Sequence, residues 1–122
     1  MIKSVAAPRP LSTWERGTLE QLLSQPFHDS DELCKQAGTA RVAEEYPAPD
    51  PSVMLWVDRA AVAPAPVRRR IPVEGEAADE DGTPVHVLLH VVDGYLSELE
   101  VYRSDGKPVR CVPEPSSLTL FC

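Results

Sequence analysis

PVHVLLHVVDGYLSELEVYR, residues 84–103, consists of two apolar, largely β-branched runs separated by Asp93-Gly94. Asp-Gly between such runs is a strong short-range signal for a β-hairpin. Two registers compete. A two-residue loop would pair Val92 with Tyr95, and would set Glu98 beside Leu89 and Glu100 beside Val87 on the more apolar face. A three-residue loop, Val92-Asp93-Gly94, would pair Val91 with Tyr95 and give Gly94 the left-handed position of a bulged turn. This second register sorts the side chains more cleanly. Val85, Val87, Leu89, Val91, Tyr95, Ser97, Leu99 and Val101 share one face, and His86, Leu88, His90, Leu96, Glu98, Glu100 and Tyr102 share the other. A one-residue slip exchanges the faces, so burial selects between them. The expectation is the bulged turn, with His86 across from Glu100 and Leu88 across from Glu98.

Upstream of the hairpin the chain changes period twice. Residues 1–10 read as an arm ended by Pro8 and Pro10. Ser12-Thr13-Trp14-Glu15 matches the capping box, and Trp14, Leu19, Leu22 and Leu23 form the apolar stripe of a helix from Thr13 to Ser24, stopped by Pro26. Ser30 is placed to cap a second helix, Asp31–Ala37, which exits at Gly38. From there the pattern is extended: Ala40–Tyr46, Ser52–Asp58 and Val67–Ala77 read as strands, with Pro72 marking an edge or a bulge. After the hairpin, residues 104–108 form a turn, Val109–Val112 would continue the sheet, and Leu118–Phe121 makes a last short strand.

Short links force antiparallel neighbours, because a parallel crossover needs about a dozen residues. The chain is therefore expected to be α+β, with two N-terminal helices packed on a mainly antiparallel sheet of about five to six strands. A single domain over residues 1–122 fits this length. No apolar run is long enough to span a membrane, and the first residues lack the apolar core of a secretory signal, so the cytoplasm is the expected compartment. Cys34, Cys111 and Cys122 are odd in number and widely spaced, matching neither a metal pair nor a disulfide framework. The net charge of −7 argues against a nucleic-acid partner and would steer a basic protein partner. Nine Arg against three Lys, no Asn and 13 Pro hint at a GC-rich genome.

Three segments carry a resemblance. Leu11–Glu15 fits L-[ST]-x-x-E, Asp93–Val101 fits D-G-Y-L-S-x-L-E-[VFI], and Asp105–Pro108 fits D-G-x-P. Together they resemble a group of small bacterial proteins of unknown function. The resemblance covers the two ends of the chain better than its middle, and implies no activity.

The chemistry-bearing residues concentrate on the hairpin. His86, His90, Glu98, Glu100 and Tyr102 are the candidate ligand-binding residues, since His and Glu suit zinc and similar ions. His86 and His90 lie four residues apart on a strand, about 13 Å, too far to share one ion without help, for which His28 is the remaining histidine. No metal site is therefore assigned. Glu98 and Glu100 project in parallel, which suits a solvated face better than paired carboxylate catalysis. Arg68 and Arg70 are candidate partner-binding residues and the nearest cations for those acids. No catalytic motif, phosphate loop or cofactor signature appears. The leading expectation is a non-catalytic interaction module, of inhibitor or immunity-like type. The alternative is a small-ligand or metal-binding domain using the His/Glu face. An exposed sheet edge would permit a homodimer.

Overall fold

The structure is a computed structural model that describes residues 2–25, 27 and 30–122. Lys3–Pro10 forms a strand, β1, where an arm was expected. It pairs antiparallel with Arg41–Glu45 (β2), at the margin of the sheet. Prolines are tolerated there because an edge strand needs ladder donors on one side only. The helices Thr13–Leu22 (α1) and Asp31–Ala37 (α2) occupy the connection between these two strands, so they lie mid-chain. Val53–Trp56 (β3), Val73–Ala78 (β4), Pro84–Val92 (β5), Tyr95–Arg103 (β6) and Thr119–Phe121 (β7) complete a seven-stranded sheet in the order β1-β2-β3-β6-β5-β4-β7. Every pairing is antiparallel. The α+β class is as expected, with more strands.

The capping box at α1 is formed. Ser12 Oγ accepts from the Glu15 N–H at 3.1 Å, and Glu15 Oε1 accepts from the Ser12 N–H at 2.7 Å. Arg9 grips the same carboxylate with two bonds of 2.9 Å. Burial pushes the Glu15 carboxyl up, but Arg9 and the Ser12 N–H outweigh it and hold it below the usual range. Ser30 precedes α2 without a side-chain capping bond, in helical backbone. Pro26 and His28 lie outside the described residues.

The register of the hairpin differs from the expectation. Val92 pairs with Tyr95 across a two-residue turn, in which Asp93 and Gly94 have φ of 55° and 82°. Those two positive angles mark a type I′ turn, whose twist matches the flanking strands. The bulge exists, but three residues further on. Val91 pairs with Leu96 and His90 with Glu98, leaving Ser97 as the extra residue. This restores the parity that a plain two-residue register would spoil. Leu96, Leu99 and Val101 all face inward, whereas Glu98, Glu100 and Tyr102 face outward. His86 is opposite Tyr102, not Glu100, and Leu88 is opposite Glu100, not Glu98.

The inward face of the sheet and the two helices share one core. Leu19, Leu22 and Leu33 pack there with Val42, Leu89 and Leu99, all essentially inaccessible to solvent. Gln36, fully buried on α2, ties this layer to the hairpin turn. Its Nε2 donates to the carbonyls of Ala63 and Gly94, and its Oε1 accepts from the Leu96 N–H, each at 2.9 Å. Thr18, equally buried, is different: its hydroxyl has no hydrogen-bond partner among the described residues. Thr18→Val replaces that hydroxyl by a methyl of the same shape, and is expected to stabilise the fold by about 1 kcal/mol. A urea midpoint that stays put or falls would contradict this.

Two segments read as strands take other forms. Strand β4 starts only at Val73, and residues 64–72 cross over the hairpin end as an irregular strap. Residues 109–112 are not a strand either, because their N–H groups serve a carboxylate: Arg110 and Cys111 donate to Asp79 at 2.8 and 3.0 Å. That carboxylate belongs to a buried ionic cluster. Arg103, at the inward end of β6, bonds Asp79 at 3.0 Å, and reaches Asp81 at 3.0 Å and Asp105 at 2.6 Å. Asp79 is held at about 2, through the Arg110 N–H against the opposing effect of burial, and then through the Glu80 N–H, Arg103 and the Cys111 N–H. Arg103 likewise keeps Asp105 below the usual carboxylate range. The cluster staples the 79–83 loop, the turn after β6 and the 110–111 segment together.

Candidate functional site

The helices cover one face of the sheet, and the other carries the sequence-predicted residues. Alternation puts Glu74 and Glu76 of β4, His86, Leu88 and His90 of β5, and Glu98, Glu100 and Tyr102 of β6 on that outer face. Met54 of β3 stands opposite Glu98, and Glu44 of β2 opposite Met54. Leu88 is buried but takes no part in the core, so its neighbours on the outer face are what shield it. Trp56, Tyr102 and Phe121 are the exposed large hydrophobic residues, at 39%, 41% and 48%, and all three project from this face. Trp56 and Phe121 fall within the expected strands Ser52–Asp58 and Leu118–Phe121 but are not among the candidate site residues. Their alternation with buried Leu55 and half-buried Leu120 was the available signal.

The polar side chains of the face are tied to one another in small separate groups. Arg70 Nε donates to His90 Nδ1 at 3.0 Å, and His90 Nε2 lies 2.8 Å from Glu100 Oε1. An arginine nitrogen can only donate, so Nδ1 is the acceptor and Nε2 carries the proton toward Glu100. His90 is 9% exposed and locked between the two. Tyr46 donates to Glu98 Oε2 at 2.8 Å, and the Tyr46 hydroxyl is pushed up to about 12 by that bond and by burial. His86 stacks on Tyr102, with ring centroids 4.9 Å apart, and its Nε2 lies 2.7 Å from Ser104 Oγ.

This geometry decides what the candidates do together. His86 and His90 face different partners, and among the described residues no three His, Cys, Asp or Glu side chains converge as a metal cluster would. Of the two arginines, Arg70 reaches the face through His90, but Arg68 bonds to neither glutamate. Ser104 and His86 are spaced like a nucleophile and base. However, no carboxylate among the described residues bonds the other ring nitrogen, so the group that would orient such a pair is missing. The arrangement is a rigid, acidic, aromatic-bearing surface, with its side chains already positioned by their neighbours.

A family model described as "Domain of unknown function (DUF6984)" matches residues 8–113. The chain belongs to this family. The DUF6984 match runs from the end of β1 through the Asp79-bound segment, and so includes both helices, the hairpin and the Arg103 cluster. Searches of curated proteins and of solved structures return no match. Among the described residues, no helix of this DUF6984 chain is long and apolar enough to cross a membrane.

Proposed function

We propose that this chain is a non-catalytic protein-interaction module of the inhibitor or immunity type, which covers a basic surface on another protein in the bacterial cytoplasm. The observation that carries the reading is the distribution of exposed side chains. Trp56, Tyr102 and Phe121 share the one sheet face that the helices leave open, together with Glu44, Glu74, Glu76, Glu98 and Glu100. Large aromatics are the side chains that anchor interfaces, and glutamates around them select a partner of opposite charge. Trp56 and Phe121 stand on strands four places apart in the sheet, which is about 19 Å at the usual strand spacing. That width suits the centre of a standard interface. The pairs Tyr46–Glu98, His90–Glu100 and His86–Tyr102 hold their side chains in place before docking, so less rotamer freedom is lost on association. The net charge of −7 adds long-range attraction for a basic partner. A small-ligand or metal site on the same face draws less support, because the ring nitrogens shown bonded already serve neighbouring side chains.

The test is affinity capture from the native cell with three versions of the chain: wild type, Trp56→Ser/Tyr102→Ser, and a helix-side control, Glu20→Ser/Gln21→Ser. A protein retained by wild type and control should fall at least about ten-fold in recovery with the face variant. Its recovery should also drop as salt rises from about 0.05 to 0.5 M. Equal retention by the face variant would overturn the proposal.

A further inference from the structure

The strap over residues 64–72 is fastened at two points. The Ala65 N–H donates to the Gly94 carbonyl, and the Val91 N–H donates to the Arg70 carbonyl, both at 2.7 Å. Between these fastenings Pro66–Arg69 lines a cavity of about 1180 Å³. Phe27, Pro72 and Val91 line it with Val67, and both Phe27 and Val91 belong to the helix-side core or pack against it. The cavity therefore opens on the side of the sheet opposite the acidic face. Its volume is somewhat above the usual range for small-molecule sites, about 300–1,000 Å³, and its lining is mixed, with polar and apolar surface in nearly equal parts.

Those polar groups have a sign. Arg68 and Arg69 line the cavity and form no ion pair among the described residues, while Arg70, the third of the run, serves His90 on the other face. Asp93 is the acidic side chain in the lining, and Cys122 lines the cavity as well. The backbone N–H groups of Val67, Arg68 and Arg69 donate to no backbone carbonyl among the described residues. Two guanidinium forks and free N–H groups beside an apolar floor are complementary to a planar anion with a hydrophobic body. We infer that this cavity binds a small amphiphilic anion, with a carboxylate or sulfonate head on an aliphatic or aromatic body. The head lies against Arg68 and Arg69 and the body against Phe27, Val67 and Val91.

The probes are 8-anilinonaphthalene-1-sulfonate, read by fluorescence, and octanoate as its competitor, with octan-1-ol as the uncharged control. The sulfonate should bind saturably near one equivalent. Octanoate should displace it, and octan-1-ol should do so at least about ten-fold less well. Arg68→Ala/Arg69→Ala, whose side chains are exposed and whose folding is checked by its melting curve, should weaken both anions at least about ten-fold. Trp56→Ser/Tyr102→Ser should leave binding unchanged, so this result stands apart from the fate of the acidic face. Unsaturable binding, equal affinity in the arginine variant, equal displacement by octan-1-ol, or loss of binding in the sheet-face variant would each overturn the inference.

Discussion

Gly94→Ala is expected to destabilise the domain by about 4 kcal/mol or more, among the largest effects of any single methyl group. Two causes add. Gly94 has φ of 82°, a conformation that costs an alanine about 1–2 kcal/mol. A Cβ there would also lie 2.5 Å from the Ala65 carbonyl oxygen and 2.8 Å from Pro64 Cβ. The strap cannot yield without releasing the Ala65–Gly94 bond, and the same carbonyl of Gly94 accepts from Gln36. Gly82→Ala separates the causes. Gly82 has φ of 86°, but nothing lies within 4 Å of its Cβ position, so only the backbone cost of about 1–2 kcal/mol is expected. Urea unfolding of both variants measures the difference. Equal losses would mean that the strap does not press on the turn.

Arg103→Met is expected to lose more stability than any substitution of an exposed charge such as Glu20→Gln. Methionine matches the length of the stem but leaves Asp79, Asp81 and Asp105 without their common cation. A buried carboxylate stripped of its partner is far costlier than a surface one. The pH profile carries a second signature. Asp79 is depressed to about 2, and Asp81 and Asp105 are also lowered, so their contribution to stability is complete above about pH 4, the ordinary carboxylate value. It is lost as pH falls from about 4 through 2. In Arg103→Met that acid-linked loss should shrink without vanishing, because the N–H groups of Arg110, Glu80 and Cys111 still hold Asp79. Melting midpoints between pH 7 and pH 2.5 test this, and parallel profiles for the two proteins would contradict it.

The two features that dominate these expectations were unequally visible beforehand. Asp93-Gly94 located the turn, because few other dipeptides accept two successive positive φ angles. The bulge was misplaced because strict alternation was applied to β6. Leu96 and Leu99 are three apart, and both can face the core only if one residue between them is extra. That odd spacing was the signal for Ser97. The Arg103 cluster left a similar mark. An arginine two residues beyond Val101 on the inward face requires buried acids, and the turns on either side supply Asp79, Asp81 and Asp105. Strand β1 was masked by Pro8 and Pro10, which exclude a central strand but not an edge. The His90–Glu100 pair was beyond reach, because it joins residues diagonal to each other across a register that the bulge shifts by one.

The outer face is the centre of this account, and site-specific photo-crosslinking in the native cell tests it most directly. A benzophenone-bearing amino acid is placed at Tyr102 on the open sheet face, and in a second strain at Glu20 on the exposed side of α1. A discrete protein adduct from position 102, weakened by salt and lacking from position 20, is the predicted result. Adducts formed from position 20 but not from 102 would contradict it.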